Sequence, residues 1–456
     1  MARFLIAAAH KSSGKTVVAT GLAGALAAGG QAVQCFKKGP DYIDPMWLSQ
    51  ASGRPCYNLD FNTMSRDEMR ATVQSRSATS GVAMIEANKG LYDGVDLKGS
   101  DSNAELARIM RAPVVLVIDT NGMTRGIAPL LQGYLAFDDR VNIAGVILNK
   151  VGGARHEAKL RAAVEEYTDL PVLGAVPRDR ALDIGERHLG LTTPAETGEL
   201  ARRIAAVSQV VGASVDLDRL LAVARSAPPL PPPAPPPQPV VARFEGLRVA
   251  IARDEAFGFY YPDDLDAFTA LGATLVPFDA LHDQVLPPVD GLFIGGGFPE
   301  MRMHELAANA GLMRSIREAI ENGLPTYAEC GGLMYLCRAL VWGEERAPMC
   351  GVVPAEAVMH DRPQGRGYTR FRDTPAHPWG GGPEEQLAHE FHYARIEGLD
   401  PQSTFARRVR RGHGIDGSRD AVVIGNLVAG FCHLRNTAAT PWVERFLDFV
   451  GKTRAG

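Results

Sequence analysis

The segment Ala227–Pro239 is the strongest constraint on how this chain can fold. Its consecutive prolines fix φ and cannot donate ladder hydrogen bonds, so it reads as extended polyproline II. Such a run serves either as a docking motif for a partner's aromatic groove or, more commonly, as a semi-rigid spacer. Both flanks carry the same pattern of short apolar runs alternating with helical stretches. A proline-rich linker at 226–243 therefore separates a front domain, 1–225, from a back domain, 244–456. A length of 456 residues suits at least two domains.

In the front half, Arg3–Ala9, Gly81–Glu86, Pro113–Asp119 and Ile143–Leu148 read as buried strands rich in Val and Ile. Thr16–Ala28, Ala104–Arg111 and His156–Glu166 between them read as helices. In the back half, Arg248–Ala252, Gly291–Ile294 and Thr326–Ala328 are strands, and Asp264–Leu271, Met313–Asn322 and Leu333–Leu340 are helices. This alternation predicts an α/β protein of two doubly wound domains.

The composition, 46% hydrophobic and 22% charged, is that of a globular enzyme. A net charge of −4 supplies no field to recruit nucleic acid or an anionic membrane. No apolar stretch approaches the roughly 20 residues that cross a bilayer. Phe4–Ala9 is too short for a signal segment. Six cysteines with no CxxC spacing make neither a disulfide framework nor a structural zinc site. These features point to a reduced, cytoplasmic protein.

The first strand runs into Ala9-His10-Lys11-Ser12-Ser13-Gly14-Lys15-Thr16, and a helix follows. Such a loop turns backbone N–H groups inward onto phosphate, and the helix adds its positive end. Gly14 permits close approach, Lys15 carries charge to the β and γ phosphates, and Thr16 offers a hydroxyl to Mg²⁺. Ala9 stands where the usual pattern has glycine. With Lys11 as a second lysine, the loop resembles the deviant P-loop ATPases that include dethiobiotin synthetase, which implies ATP spent on a carboxylate.

Phe36-Lys37-Lys38-Gly39-Pro40-Asp41-Tyr42-Ile43-Asp44-Pro45 is a charged loop at the phosphate crevice of a doubly wound sheet. There Asp41 or Asp44 can hold Mg²⁺, and Lys37 or Lys38 can neutralise an anionic substrate. Glu86 ends the next strand, where a metal-coordinating acid belongs. Lys11, Gly14, Lys15, Thr16, Lys37, Asp41, Asp44 and Glu86 are thus the candidate ATP and Mg²⁺ site, with Thr16, Asp41 and Glu86 as metal ligands.

In the back half, Tyr327-Ala328-Glu329-Cys330-Gly331-Gly332-Leu333 has the form strand, sharp turn, helix. A thiol on such an elbow is exposed at the sheet end, and the helix N-terminus favours its thiolate. Gly295-Gly296-Gly297 after an upstream strand, together with Gly331, offers N–H groups for an oxyanion hole, with Gly296, Gly297 and Gly331 as candidates. Gly430-Phe431-Cys432-His433-Leu434 offers a histidine. His433 as the general base follows from its resemblance to the histidine of class I glutamine amidotransferases. That class has glutamate two residues later; here the position is Arg435, so a Cys330–His433 dyad is expected. His389-Glu390-Phe391-His392 lacks the zincin spacing and on its own reads as a strand in which Glu390 and His392 share a face. Its resemblance to a segment beside the glutaminase site of related amidotransferases implies support there rather than a metal.

Gly39-Pro40-Asp41-Tyr42-Ile43-Asp44-Pro45, Gly90-Leu91-Tyr92-Asp93-Gly94 and Arg187-His188-Leu189-Gly190-Leu191, in this order, resemble the cobyrinate / hydrogenobyrinate a,c-diamide synthase family over nearly the whole chain. The resemblance implies a dethiobiotin-synthetase-like P-loop domain joined to a class I amidotransferase-like domain. It implies amidation of the a and c acetates of a corrin, with ATP forming an acyl phosphate and L-glutamine supplying sheltered ammonia. A homodimer is also implied. The chain departs from the family at Ala87-Asn88-Lys89 and Met46-Trp47-Leu48, and the Asn-Lys pair leans toward metal-free hydrogenobyrinate. Cobyric acid synthase-type amidation and a P-loop scaffold ATPase are the alternatives.

Overall fold

The computed structural model describes residues 1–182, 186–187, 190–191, 200–232, 241–380 and 382–455. It divides into two compact units, Met1–Phe61 with Ser65–Pro235, and Asn62–Met64 with Pro236–Gly456. Each is described by itself below.

The first unit is built on seven strands, β1 Ala2–Ala8, β2 Val33–Lys38, β3 Tyr57–Leu59, β4 Val82–Glu86, β5 Val114–Asp119, β6 Ile143–Val151 and β7 Val172–Pro177. They lie in the order β3-β2-β4-β1-β5-β6-β7, and every pairing is parallel. Continuous apolar runs such as Phe4–Ala8 and Val114–Ile118 are buried because helices cover both faces of a parallel sheet. The sequence had not marked β2, β3 or β7. All of β2, charges included, is buried. The helix Lys15–Ala28 packs against Leu200–Ser214 through two glycines. A Cβ on Gly21 would come within 2.5 Å of Val211, and one on Gly24 within 2.0 Å of Ser208.

The opening prolines of the linker are held by this unit. Arg3 donates to the Pro228 carbonyl, Arg111 to Pro229 at 3.0 Å and Gln74 to Pro231 at 2.9 Å. Residues 233–240 lie outside the described residues. So do His188 and Leu189 of the Arg187–Leu191 motif, whose remaining members belong to a short antiparallel pair, β8 Glu186–Arg187 and β9 Gly190–Leu191.

The second unit contains β10 Arg248–Ala252, β11 Phe257–Phe259, β12 Thr274–Phe278, β13 Gly291–Ile294, β14 Gly296–Gly297 and β15 Thr326–Glu329. Then follow β16 Cys337–Trp342, β17 Glu345–Pro348, β18 Val353–Met359, β19 Gly365–Asp373 and β20 Gln386–His392. The last are β21 Ala394–Glu397, β22 Phe405–Arg411, β23 Arg419–Ile424 and β24 Leu427–Gly430. Nine of them form one sheet, β12-β10-β13-β15-β24-β23-β22-β19-β20. It is parallel from β12 to β24 and antiparallel from β24 to β20.

One sequence expectation is corrected. The helix read over Leu333–Leu340 spans only Gly331–Leu336. Cys337 is already extended, at φ −65° and ψ 171°, and Cys337–Trp342 forms β16, paired with β17 and β18. The β-branched and aromatic residues Val341 and Trp342 fit a pleated surface, and tertiary pairing overrides the helical reading.

One side of the large sheet is closed by the C-terminal helix Trp442–Ala455. Trp442, fully buried, meets Phe293 at 5.1 Å, Tyr327 at 5.1 Å and Phe268 at 5.7 Å between ring centroids. Trp442→Ala should lower the stability of this unit by about 3–5 kcal/mol, the usual cost of truncating a buried aromatic. Denaturant unfolding followed by near-ultraviolet circular dichroism checks this, and an unchanged midpoint would contradict the packing described.

Candidate functional sites

The phosphate loop follows β1. Ser12 at φ +64° and Gly14 at φ +77° turn the chain into the helix Lys15–Ala28. A Cβ on Gly14 would lie 2.3 Å from Asn149 Nδ2, so glycine is required there. Ala9 is not among the positive-φ residues, which explains why alanine is accepted at that position. The loop is braced from the end of β6: Asn149 Nδ2 donates to the Ser13 carbonyl at 2.8 Å, and Lys150 Nζ donates to Ser12 at 3.1 Å. Lys150 is itself paired with Asp119 at 2.7 Å. These braces were missed in the sequence because Asn149-Lys150 and Asp119 simply end strands.

Behind the loop lies a cluster of buried charge. Lys15 Nζ is 3.0 Å from Glu86 Oε1, and Lys37 Nζ is 3.2 Å from the same oxygen. Lys37 also meets Asp44 at 2.5 Å and Asp41 at 3.8 Å. Thr16 Oγ1 donates to Glu86 at 2.8 Å and lies 3.1 Å from Asp44. Parallel pairing of β2 with β4 sets Lys37 opposite Glu86. Lys11 is exposed and stands apart from the cluster.

The electrostatics follow from burial and pairing. Burial lowers Lys15 below its ordinary value, opposed by Glu86. For Lys37, burial is outweighed by Asp44, Glu86 and Asp41, and its pKa rises. Burial and the neighbouring Asp44 push Asp41 up to about 7. Asp44 is held low because Lys37 and Lys15 overcome its burial. Lys15 is thus the lysine less tightly committed to its charged form.

Among the described residues no group of three or more His, Cys, Asp or Glu is arranged to hold a metal by itself. Mg²⁺ needs no such cage, since it is commonly bound through one or two carboxylates, waters and substrate phosphates. Glu86 Oε2 is buried with no hydrogen-bond partner, while Oε1 is occupied. That orphaned oxygen, beside the Thr16 hydroxyl, fits a hard cation.

The motif loops are ordered around this cluster. Asp41 Oδ1 accepts from Ile43 N at 3.0 Å and Asp44 N at 3.2 Å, which starts the helix Ile43–Ser52. In the Gly90–Gly94 turn, Asp93 accepts from Gly90 N at 2.9 Å, and Asn103 donates to the Gly90 carbonyl at 2.6 Å.

In the second unit the nucleophile candidate sits on a strained elbow. Cys330 has φ +50° and ψ −103°, a sparsely populated conformation for a residue with a Cβ. Its N–H donates to Gly430 at 2.8 Å, and its carbonyl accepts from Met334 at 3.1 Å. The elbow is wrapped by close glycine contacts. A Cβ on Gly332 would meet the Ile294 carbonyl at 2.3 Å, and one on Gly297 the Ala256 carbonyl at 1.9 Å. A Cβ on Gly331 would lie 3.1 Å from Gly297 N, so these two backbones adjoin. Gly296 lies against the His433 ring, with its added Cβ 2.7 Å from Cε1.

His433 is buried, bonded to Cys330, and 3.5 Å from Glu329 through Nδ1. Burial pulls its pKa down, but Cys330 and Glu329 outweigh that and lift it to about 10. His389 stacks on it, with ring centroids 4.9 Å apart and planes 13° from parallel. Burial, His433 and Arg435 keep His389 well below its ordinary pKa, and Tyr261 Oη lies 3.3 Å from its Nδ1.

Within the His389–His392 segment, His389 meets His433 by ring stacking and by backbone hydrogen bonding. Glu390 accepts from His413 N at 2.6 Å and Gly414 N at 2.8 Å, and His392 stacks on Phe431 at 3.7 Å. Glu329, although it directly precedes the cysteine, carries no local sequence signal of its approach to His433, since the class pattern places an acid two residues after the histidine, where this chain has Arg435.

Residues 4–191 match the CobQ/CobB/MinD/ParA nucleotide binding domain, and residues 248–439 match the CobB/CobQ-like glutamine amidotransferase domain. The chain is 45% identical to a cobyrinate a,c-diamide synthase of Magnetococcus marinus, over 98% of this chain and 97% of that protein. It is 38% identical to one of Methanosarcina acetivorans, over 99% and 96%. A Listeria monocytogenes protein of the same name is 37% identical, over 95% and 96%.

All six cysteines are buried, but only Cys330 lies on an elbow beside a histidine. Burial raises Cys35 and Cys350 to about 12 and pushes Cys56, Cys337 and Cys432 up as well. Limiting iodoacetamide at neutral pH should therefore label Cys330 at least about 10-fold faster than the others, because the thiolate is the nucleophile. Peptide mapping reads this, and preferential labelling of any other cysteine would count against the site.

Proposed function

The chain belongs to the cobyrinate a,c-diamide synthase family, and we propose that it amidates the a and c acetate carboxylates of a corrin. It is a glutamine-dependent carbon–nitrogen ligase of cobalamin biosynthesis. The corrin reading is supported by the activity the relatives' names print. The observation that supports carboxylate activation coupled to glutamine is the buried Lys15–Glu86–Lys37 cluster behind a phosphate loop, in the same chain as the Cys330–His433 elbow.

In the first half-reaction a corrin carboxylate oxygen attacks the γ-phosphorus of ATP, ADP leaves, and an acyl phosphate forms. Lys15 turns from Glu86 to the phosphates, a change helped by the burial that already disfavours its charge within the cluster. Lys37 stays in place between Asp44 and Glu86, a fixed positive charge against which the substrate's negative charge is held. Gly14 lets the backbone approach the phosphates, and Lys11, exposed at the loop tip, reaches them from the solvent side. Thr16, Glu86 and Asp41 would hold Mg²⁺, which when bound neutralises charge on the transferring phosphoryl group.

In the second, Cys330 Sγ attacks the side-chain amide carbon of glutamine. His433 takes the thiol proton and returns it to the departing ammonia. The N–H groups of Gly297 and Gly331, with Gly296 beside the imidazole, receive the oxyanion. Water hydrolyses the thioester to glutamate. Ammonia attacks the acyl phosphate and phosphate leaves, so each amide consumes one ATP and one glutamine. The corrin is cobyrinate or its metal-free counterpart hydrogenobyrinate, toward which Asn88-Lys89 leans. The reading includes a homodimer, which sedimentation of the purified protein reports.

Purified protein with glutamine, ATP and Mg²⁺ should release ADP and give a corrin carrying two new amides, read by mass spectrometry. Offering hydrogenobyrinate and cobyrinate separately identifies the substrate by the ratio of rates. Cys330→Ala should lose glutamine-dependent turnover by at least about 1000-fold, as removal of a nucleophile does, yet work with ammonium. ATP hydrolysis with neither corrin amidated would overturn the substrate reading.

A further inference from the structure

The amidotransferase class carries a glutamate two residues after its histidine, and here that residue is Arg435. Its guanidinium is committed elsewhere, to Asp263 at 2.9 and 2.7 Å and over the Tyr261 ring at 5.0 Å. The carboxylate beside the imidazole comes from a different element. Resting on the amidotransferase reading above, we propose that Glu329, the residue before the nucleophile, is the positioning residue that receives Nδ1–H of His433 and so turns Nε2 toward Cys330.

The geometry favours this role over that of a generic buried acid. Glu329 Oε2 stands 3.5 Å from His433 Nδ1, and both side chains are almost wholly buried. Oε1 is already taken: it accepts from the Tyr327 hydroxyl and from Leu434 N at 2.7 Å. One carboxylate therefore fixes the imidazole and the backbone just beyond it. Tyr327 and Glu329 are two apart on β15, so they share a face, and Cys330 begins the turn. Parallel pairing sets Glu329 opposite Gly430, three residues before His433. A glutamate on the nucleophile's own strand thus reaches the same imidazole that the class serves from the histidine's side.

A network holds the acid in register. Arg407 donates to the Tyr327 hydroxyl at 3.1 Å and stands 3.6 Å from Asp420. Asp420 accepts from Phe431 N at 2.9 Å and Cys432 N at 3.3 Å. The segment that carries His433 is therefore tied at Phe431, Cys432 and Leu434 to residues of β15 and β23. His389 covers the imidazole face, where a neutral ring adds no competing charge.

Glu329→Gln keeps shape and an acceptor for Leu434 while removing the charge. Glutamine-dependent kcat should fall about 100-fold or more, as when a triad carboxylate becomes its amide, while KM for glutamine stays within about 3-fold. Ammonium-dependent amidation should stay at the wild-type rate, and iodoacetamide should label Cys330 about 10-fold more slowly. Glu329→Asp should recover part of the kcat. Unchanged glutamine-dependent kcat in Glu329→Gln would overturn the proposal. Parallel loss with both nitrogen donors would do so too, since it marks a structural role only. Failure of the wild type to release glutamate from glutamine is a separate result, which removes the amidotransferase reading itself.

Discussion

The front unit depends on one buried carboxylate. Glu86 sits fully out of water at the end of a central strand and is tolerable there only because Lys15, Lys37 and Thr16 converge on it. Removing either lysine would leave carboxylate charge under-compensated in a low-dielectric interior, at a cost of several kcal/mol. This constraint fixes the register of β2 against β4, the start of the first helix and the placement of Asp44. It also holds Lys15, the lysine proposed to meet phosphate, against Glu86. Glu86 Oε2, left without a partner, is the point at which the cluster is incomplete.

The second unit solves a related problem with backbone strain. Cys330 is forced to positive φ where β15 meets a short helix, and glycines at 296, 297, 331 and 332 allow the surrounding chain to close on it. Strain of this kind persists only where the neighbourhood over-determines it. Here the determinants are the β15–β24 pairing, the Cys330–Gly430 hydrogen bond and the carboxylate of Glu329. In both units the candidate site stands at the carboxyl ends of parallel strands, where an open α/β sheet leaves a crevice for ligand.

Much of this was legible in residue order. Apolar runs marked β1, β4, β5 and β6, and the Gly14-Lys15-Thr16 and Cys330-Gly331-Gly332 turns marked where strands give way to helices. What escaped were features set by pairing rather than by local pattern. Strand β2 carries two lysines and looked like a loop, because a buried lysine is recognised only once its carboxylate partners are known. Cys337–Leu340 reads locally as the end of a helix, and its strand conformation is set by pairing with β17 and β18. Glu329 looked like an ordinary strand residue, since its contact with His433 spans more than a hundred positions of sequence. Asn149 and Lys150 likewise act on a loop some 136 and 138 residues away.

The proposed acyl phosphate links the phosphate loop to the fate of glutamine-derived nitrogen. Corrin labelled with ¹⁸O in its a and c carboxylates, incubated with the protein, ATP, Mg²⁺ and glutamine, tests it directly. Transfer of one ¹⁸O into inorganic phosphate for each amide formed is the predicted result. Amide formation that leaves the phosphate unlabelled would contradict activation of the carboxylate by ATP, and with it the role given to the buried lysine–glutamate cluster.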